Sequence, residues 1–287
     1  MSQLFRRVYK LTIGIGTEAI IIDGFLDNPL QVKFFVDQTP NGQVSYADIK
    51  VYGLSRETIK RIKEQFTDVH LVAGYADHFG TVFLGKLQNV TQVREGANQY
   101  LQMFCQAGGE PSYVNQSWGK GTPQKQIIED VAKTFGYPVE FHGDFSSLPR
   151  APAGNVLSMG SKMAMDKLAA SWGFRWMVRN QVVLIVADNA VIEGEEYIYT
   201  PLSGMIGAPR ITSRGVDITV KINPALRPGA MYQVQSETGQ FVFNDIYFKT
   251  FPNAVATGRF KIISMRINGD FYGDPWDMEL EGLRYAG

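Results

Sequence analysis

PLSGMIGAPRITSRGVDITVKINPALRPG, residues 201–229, decides how the rest of the chain is read. Gly204 and Gly207 bracket Met205 and Ile206. Pro209 stops a helix from starting, because its ring fixes φ and removes a backbone donor. Val216, Ile218 and Val220 then alternate with Asp217, Thr219 and Lys221, the period of a strand with one buried face. Asn223-Pro224 ends that strand, and Pro228-Gly229 turns the chain into the next.

The 287 residues leave room for two or three domains. A hydrophobic fraction of 45% and a charged fraction of 20% are ordinary for a globular protein. Twenty-eight basic residues balance 28 acidic ones. A free-standing nucleic-acid binder usually carries a basic excess, so that class loses weight. Near-zero net charge also permits self-association, since little long-range repulsion opposes it. With Cys105 as the single cysteine, neither an internal disulfide nor a cysteine-based zinc site can form. In the run YLQMFCQA it reads as a small buried core residue. Residues 1–10 are polar and basic without an apolar signal region, and no stretch approaches the ~20 apolar residues that span a bilayer. The expectation is synthesis in the cytoplasm, which makes the glycosylation patterns at Asn89 and Asn115 chance matches.

Residues 5–23 predict a hairpin around Gly14-Ile15-Gly16. GIGTEA superficially fits a dinucleotide fingerprint, but three isoleucines and Asp23-Gly24 follow where the phosphate-binding helix should start. Strands are predicted over Leu30–Val36 and Ala47–Leu54. A helix follows over Ser55–Phe66, with Ser55 as N-cap, Leu54 and Ile59 at staple positions and Ile59, Ile62 and Phe66 as its apolar stripe. Val69–Tyr75, Thr81–Val93 and Tyr100–Cys105 complete a small barrel or sandwich.

Residues 108–187 change character. Thr122-Pro123 predicts a helix with proline at its first position, burying Ile127, Ile128, Val131, Ala132 and Phe135 and ending at Gly136. A strand with Val139 and Phe141 inward follows. Met165, Leu168, Ala169 and Trp172 repeat the pattern up to Gly173, ahead of Phe174, Trp176 and Val178. Setting Gly136 on Gly173 superposes the two faces, so one βα unit is used twice, closed by a hairpin turning at Asn180-Gln181. This domain cannot easily share a core with the preceding barrel.

The chain then returns to β-structure. Val216–Val220 is similar to Ala47–Val51. Gly258, Phe260, Ile262 and Met265 are similar to Gly80, Val82, Leu84 and Leu87. Trp276–Leu280 is similar to Tyr100–Phe104. The three segments keep one order, the mark of a duplication. The expected fold is mainly β with an α/β insert: a first barrel over 1–107, the insert over 108–195 and a related second barrel over 196–287.

Catalytic constellations are missing from this pattern. His70 reads as a solvated strand residue, His78 as part of a turn, and His142-Gly143-Asp144 as too short a spacing for a metal pair. Glu193, Glu195 and Glu196 read as an exposed acidic linker rather than glycosidase carboxylates. Gly119-Lys120-Gly121-Thr122 lacks the glycine spacing of a phosphate loop. Asp270 and Asp274 flank the turn Phe271-Tyr272-Gly273, whose geometry they serve. The expectation is no enzyme, no catalytic residue, no cofactor and no metal. Phe241, Phe243, Tyr247, Phe248 and Phe251 crowd one segment, either under the second barrel or as an interface with another subunit.

Residues Ser203, Gly204, Met205, Ile206, Gly207, Pro209, Thr212, Gly215, Val216, Val220, Asn223, Pro224, Leu226, Pro228 and Gly229 carry a family resemblance. The chain resembles baseplate hub proteins of contractile phage tails and tailocins, which are related in fold to the base of the type VI secretion spike. DIKVYGLS and GTVFLGKL resemble the first barrel of that family, and Gly269-Asp270 to Trp276 the second. Asn268 stands where the family often has histidine. The resemblance implies two tube-like barrels per chain and a homotrimer in the virion tail baseplate. It implies a tail tube protein and a spike protein as partners, with wedge and tape-measure proteins as further ones. Neither a specific nucleic-acid site nor a transmembrane segment is expected. The rival readings are a tail-associated cell-wall hydrolase and a monomeric carbohydrate-binding β-protein.

Overall fold

The computed structural model describes residues 6–40, 43–96, 98–108, 112–146, 148–151, 153–212, 214–236, 240–241 and 257–285. β1 (Arg7–Ile13) and β2 (Ile20–Asp23) form the expected hairpin, with a single 3-10 turn at Gly16–Glu18 where a dinucleotide site would need a helix. After β3 (Val32–Gln38), β4 (Gln43–Val44) and β5 (Tyr46–Tyr52) comes α1 (Arg56–Gln65). Ser55 caps it, its Oγ accepting the Thr58 N–H at 3.1 Å, and Ile59 and Ile62 are buried. β6 (Asp68–Tyr75), β7 (His78–Glu95) and β8 (Asn98–Gln106) run as an antiparallel meander.

The insert is built from β9 (Tyr113–Trp118), α2 (Gln124–Lys133), β10 (Val139–His142), β11 (Asn155–Gly160), α3 (Ser161–Trp172), β12 (Phe174–Arg179) and β13 (Val182–Ala187). Its two β-α-β units face each other. β9 pairs antiparallel with β11, and β10 and β12 flank β13 in opposite directions. Each unit ties a buried tryptophan to a helix carboxylate: Trp118 Nε1 donates to Asp130 at 2.8 Å and Trp176 Nε1 to Asp166 at 3.0 Å. Pro123 departs from expectation by one position. It is the N-cap, with extended ψ of 133°, and the helix begins at Gln124. Gly173 ends α3 at φ +69°, its N–H bonded to the Ala169 carbonyl. Asn180 and Gln181 both have positive φ, 49° and 60°, as a two-residue hairpin turn matched to the strand twist requires.

β14 (Ile192–Tyr199), β15 (Met205–Ile211), β16 (Gly215–Lys221), β17 (Ala230–Val234), β18 (Gln240–Phe241), β19 (Gly258–Asp270) and β20 (Trp276–Arg284) complete the chain. Glu193, Glu195 and Glu196 lie in β14 rather than in a linker, and Glu196 holds Arg259 through two 2.8 Å bonds. Val216, Ile218 and Val220 are buried as their spacing predicts. Pro209 sits where the β15–β16 register shifts between Ile206 and Arg210, a bulge where the ladder can do without its missing N–H.

Among the described residues, fourteen strands from both ends of the chain form one sheet. Its order is β18-β15-β16-β20-β19-β3-β5-β8-β7-β6-β1-β2, with β17 on β19 and β14 on β17. One hydrophobic cluster underlies both halves, from Tyr9 and Leu11 to Met278 and Leu280. A second cluster lies between the insert's helices and the sheet β10-β13-β12-β4. The opposite face of that sheet buries Met177, Leu184 and Val186 against Ile192. The fold is therefore mainly β with a small α/β insert.

The duplication is written in the ladders. The first half runs β3-β5-β8-β7-β6-β1 and the second β15-β16-β20-β19-β17-β14, one neighbour order in one chain order. Asp48 lies opposite Phe104, which lies opposite Asn89; Asp217 lies opposite Glu281, which lies opposite Ser264. With Asp48 set on Asp217, an extra residue falls at the same place in both halves, between Leu87 and Asn89 and between Ile262 and Ser264. A bulge re-aims its strand, so a shared bulge marks a shared fold. The halves differ in the direction of one pairing, for β14 runs parallel to β17 whereas β1 runs antiparallel to β6, and the β15–β16 ladder carries a bulge that β3–β5 lacks. The ladders also correct the sequence alignment. Tyr100 corresponds to Asp277, one residue beyond Trp276, and Met265 to Val90 rather than Leu87. Alternating patterns match at several offsets, and only the ladder fixes register.

Candidate assembly seam

The halves meet where β3 adds antiparallel to the far end of β19, from Met265 opposite Gln38 to Asp270 opposite Lys33. The sequence builds the approach from a small residue against a large one. A Cβ on Gly269 would overlap the Phe34 ring, which itself meets Trp276 edge-on at 5.3 Å.

Asp270 closes the upper end of the seam. Its carboxylate pairs with Lys33 at 2.9 Å and accepts from Gln31 at 3.1 Å and from the Gly273 N–H at 3.0 Å. The Arg7 guanidinium donates to the carbonyls of Asp270 (2.9 Å), Gly273 and Asp274. Burial opposes ionisation of Asp270, but Lys33 and Gln31 outweigh it, and its pKa is held below the usual carboxylate value. The turn role predicted for Asp270 is present, and sequence reading missed the bonds to the other half. The signal was the lone Lys33, invisible as a partner until β3 and β19 are neighbours.

Three further contacts stitch the chain together. Tyr75 donates its hydroxyl to the Trp276 carbonyl at 3.0 Å, while Trp276 Nε1 donates to the Gly74 carbonyl at 2.9 Å. Burial pushes the Tyr75 hydroxyl up to about 12. His78, read as a turn residue, opens β7 and bonds through Nε2 to Asn223 Oδ1 at 2.8 Å. That asparagine lies in the 201–229 stretch, where Asn223-Pro224 follows β16. At the insert, Arg179 donates to Gln38 Oε1 at 2.6 Å and to the Leu226 carbonyl at 3.1 Å, and Gln38 donates to the Val82 carbonyl at 2.9 Å. One guanidinium thus joins insert, first half and second half. Burial, reinforced by Arg227, pushes its pKa down to about 10.

Across the seam runs one continuous sheet face, mostly polar, on which Phe35 and the exposed Phe104 interrupt the polar rows. One row of residues in register is Thr219, Glu279, Arg266, Asp37, Tyr46 and Gln106; the next is Lys221, Asp277, Asn268, Phe35, Asp48 and Phe104. Arg266 bridges the halves, 3.4 Å from both Asp37 and Glu281. The opposite face of the same strands is the shared core.

The predicted interface aromatics fall largely outside this picture. Phe241 is described only as backbone in β18, opposite Ile211, and Phe243, Tyr247, Phe248 and Phe251 lie outside the described residues. His70, expected to be solvated, is half-buried and bonded to Thr81 at 2.8 Å. Burial raises the Cys105 thiol to about 12, an inert core group. Among the described residues no three His, Cys, Asp or Glu side chains gather to hold a metal. No helix among them is long and apolar enough to cross a membrane, which leaves strands unaddressed.

A family model described as baseplate hub gp41 matches residues 8–250. No curated protein matches the chain by sequence. Several solved structures share its fold. The tail protein from Neisseria meningitidis MC58 superposes with a TM-score of 0.60 at 9% identity, covering 98% of this chain and 97% of that one. The E. coli c3393 protein is a component of the type VI secretion system that exhibits structural similarity to the T4 bacteriophage tail proteins gp27 and gp5. It superposes with a TM-score of 0.61 at 11% identity, over 96% of this chain and 77% of that one. The 43 kDa tail protein of prophage MuSo2 from Shewanella oneidensis gives 0.58 at 9% identity, over 96% of each.

Proposed function

The chain belongs to the baseplate hub gp41 family, and from that premise we propose that three copies close into a ring adapting a six-fold tail tube to a three-fold spike. The structural role in the virion tail baseplate follows from the family; the trimer and its symmetry are our reading. The observation that carries it is the duplicated strand order on either side of the seam. Two barrel-like modules per chain, one on each side of the insert with the second beginning at β14, times three chains, present six similar surfaces on a three-fold body. Each tube subunit then buries the same kind of surface, and none is left unmatched. The polar face lines the central channel, because its other side is committed to the core. The insert, β9 to β13, keyed to both modules by Arg179, faces away from that channel and meets spike or wedge proteins. Assembly takes place in the host cytoplasm, and the role is structural rather than catalytic. Electron-microscopy class averages of the purified chain test this: a triangular ring with six similar lobes and an open centre is expected, and particles without a three-fold axis would refute it.

A further inference from the structure

The duplication makes the seam a template. Inside the chain, β3 pairs with residues 265–270 of β19, beyond the point where β17 leaves that strand. The counterparts of these partners are β15 for β3 and residues 90–95 of β7 for the end of β19. β7 is 18 residues long, and β6 covers it only from His78 to Lys86. Past the bulge, no described strand pairs with its edge opposite β8. Within one chain that edge cannot meet β15, which lies at the far end of the sheet order. A second copy can supply it.

We propose that ring closure, resting on the threefold reading above, occurs by antiparallel pairing of β15 of one copy with the outer end of β7 of the next. The register follows from the in-chain seam. Asn268 opposite Phe35 becomes Val93 opposite Arg210, and Ile267 opposite Val36 becomes Gln92 opposite Ile211. The charged pair Arg266–Asp37 becomes Thr91 opposite Thr212, so no like charges face each other across the new ladder. In the single chain β18 pairs parallel with β15 at Arg210 and Ile211, the two positions the neighbour requires. β18 is therefore a stand-in that covers the edge of an unassembled chain and is displaced on assembly. Covered edges do not template aggregation.

Cysteine pairs test the register. Directly opposed residues of an antiparallel pair have Cα atoms about 4.5–5.5 Å apart, within disulfide range. Val93 and Arg210 lie on the polar face with Arg210 exposed, so neither substitution opens the core. Native Cys105, buried with its thiol pushed up, stays silent. The full chain carrying Val93→Cys and Arg210→Cys, mildly oxidised, is expected to lose its single-chain band on a non-reducing gel to covalent multiples, and to regain it on reduction. Val93→Cys with Ile211→Cys places the thiols on opposite faces and should leave the band unchanged. A trimer in which the first pair fails, or only the slipped pair Glu95→Cys with Arg210→Cys reacts, overturns this junction while the hub reading stands. A single-chain mass in every condition overturns both.

Discussion

At the scale of single residues, Asp270 concentrates what joins the two halves. It receives Lys33 and Gln31 from the first half while its own backbone carbonyl receives Arg7. Because its folded pKa is depressed, the carboxylate contributes stability above its unfolded value, and that contribution is lost as pH falls through the folded pKa. Asp270→Asn should cost about 1.5–3 kcal/mol at neutral pH, the range for hydrogen bonds to a charged group. Urea titrations at neutral and acid pH check this. The gap between wild type and variant must narrow toward acid, and a gap independent of pH would remove the ion pair from the account. Asp217 and Asp277 behave oppositely. Burial first, and then neighbouring carboxylates, raise their pKa values, so their share of stability is present at low pH and declines as pH rises through the folded values.

At the scale of elements, the β12–β13 hairpin shows how an insert is made rigid by its tip. Arg179 precedes the two positive-φ residues, and Asn180 Oδ1 accepts the Leu84 N–H at 3.0 Å. Arg179→Met keeps the apolar stem of the side chain but strands Gln38 Oε1 and the Leu226 carbonyl without their donor. The expected loss is about 1–3 kcal/mol for each buried acceptor left unsatisfied, read from chemical denaturation. A loss below about 0.5 kcal/mol, the level of ordinary surface changes, would mean that the insert docks by packing alone. Elements were legible in the sequence where their chemistry is local. The Ser55 cap, the αL Gly173 and the alternation from Val216 to Val220 stand where the sequence puts them. Partnerships between distant strands were not legible. Nothing local in VKFFVDQ says that it will pair with residues more than two hundred positions away, and nothing in Arg179 names Gln38. The acidic run at 193–196 reads as solvated because its strand is exposed; its ladder to β17 lies in the backbone, which composition does not report.

At the scale of the whole molecule, one sheet and one core run through both modules, so the two act as a rigid pair rather than as beads on a linker. That rigidity is what lets a seam within the chain set the angle for the seams between chains. Formal charge of zero adds no repulsion to closing a ring of identical copies. Light scattering coupled to size exclusion weighs the central claim directly. A closed ring of three gives a particle of three times the 32.0 kDa chain mass, persisting on dilution. A particle of 32.0 kDa at every concentration would contradict it.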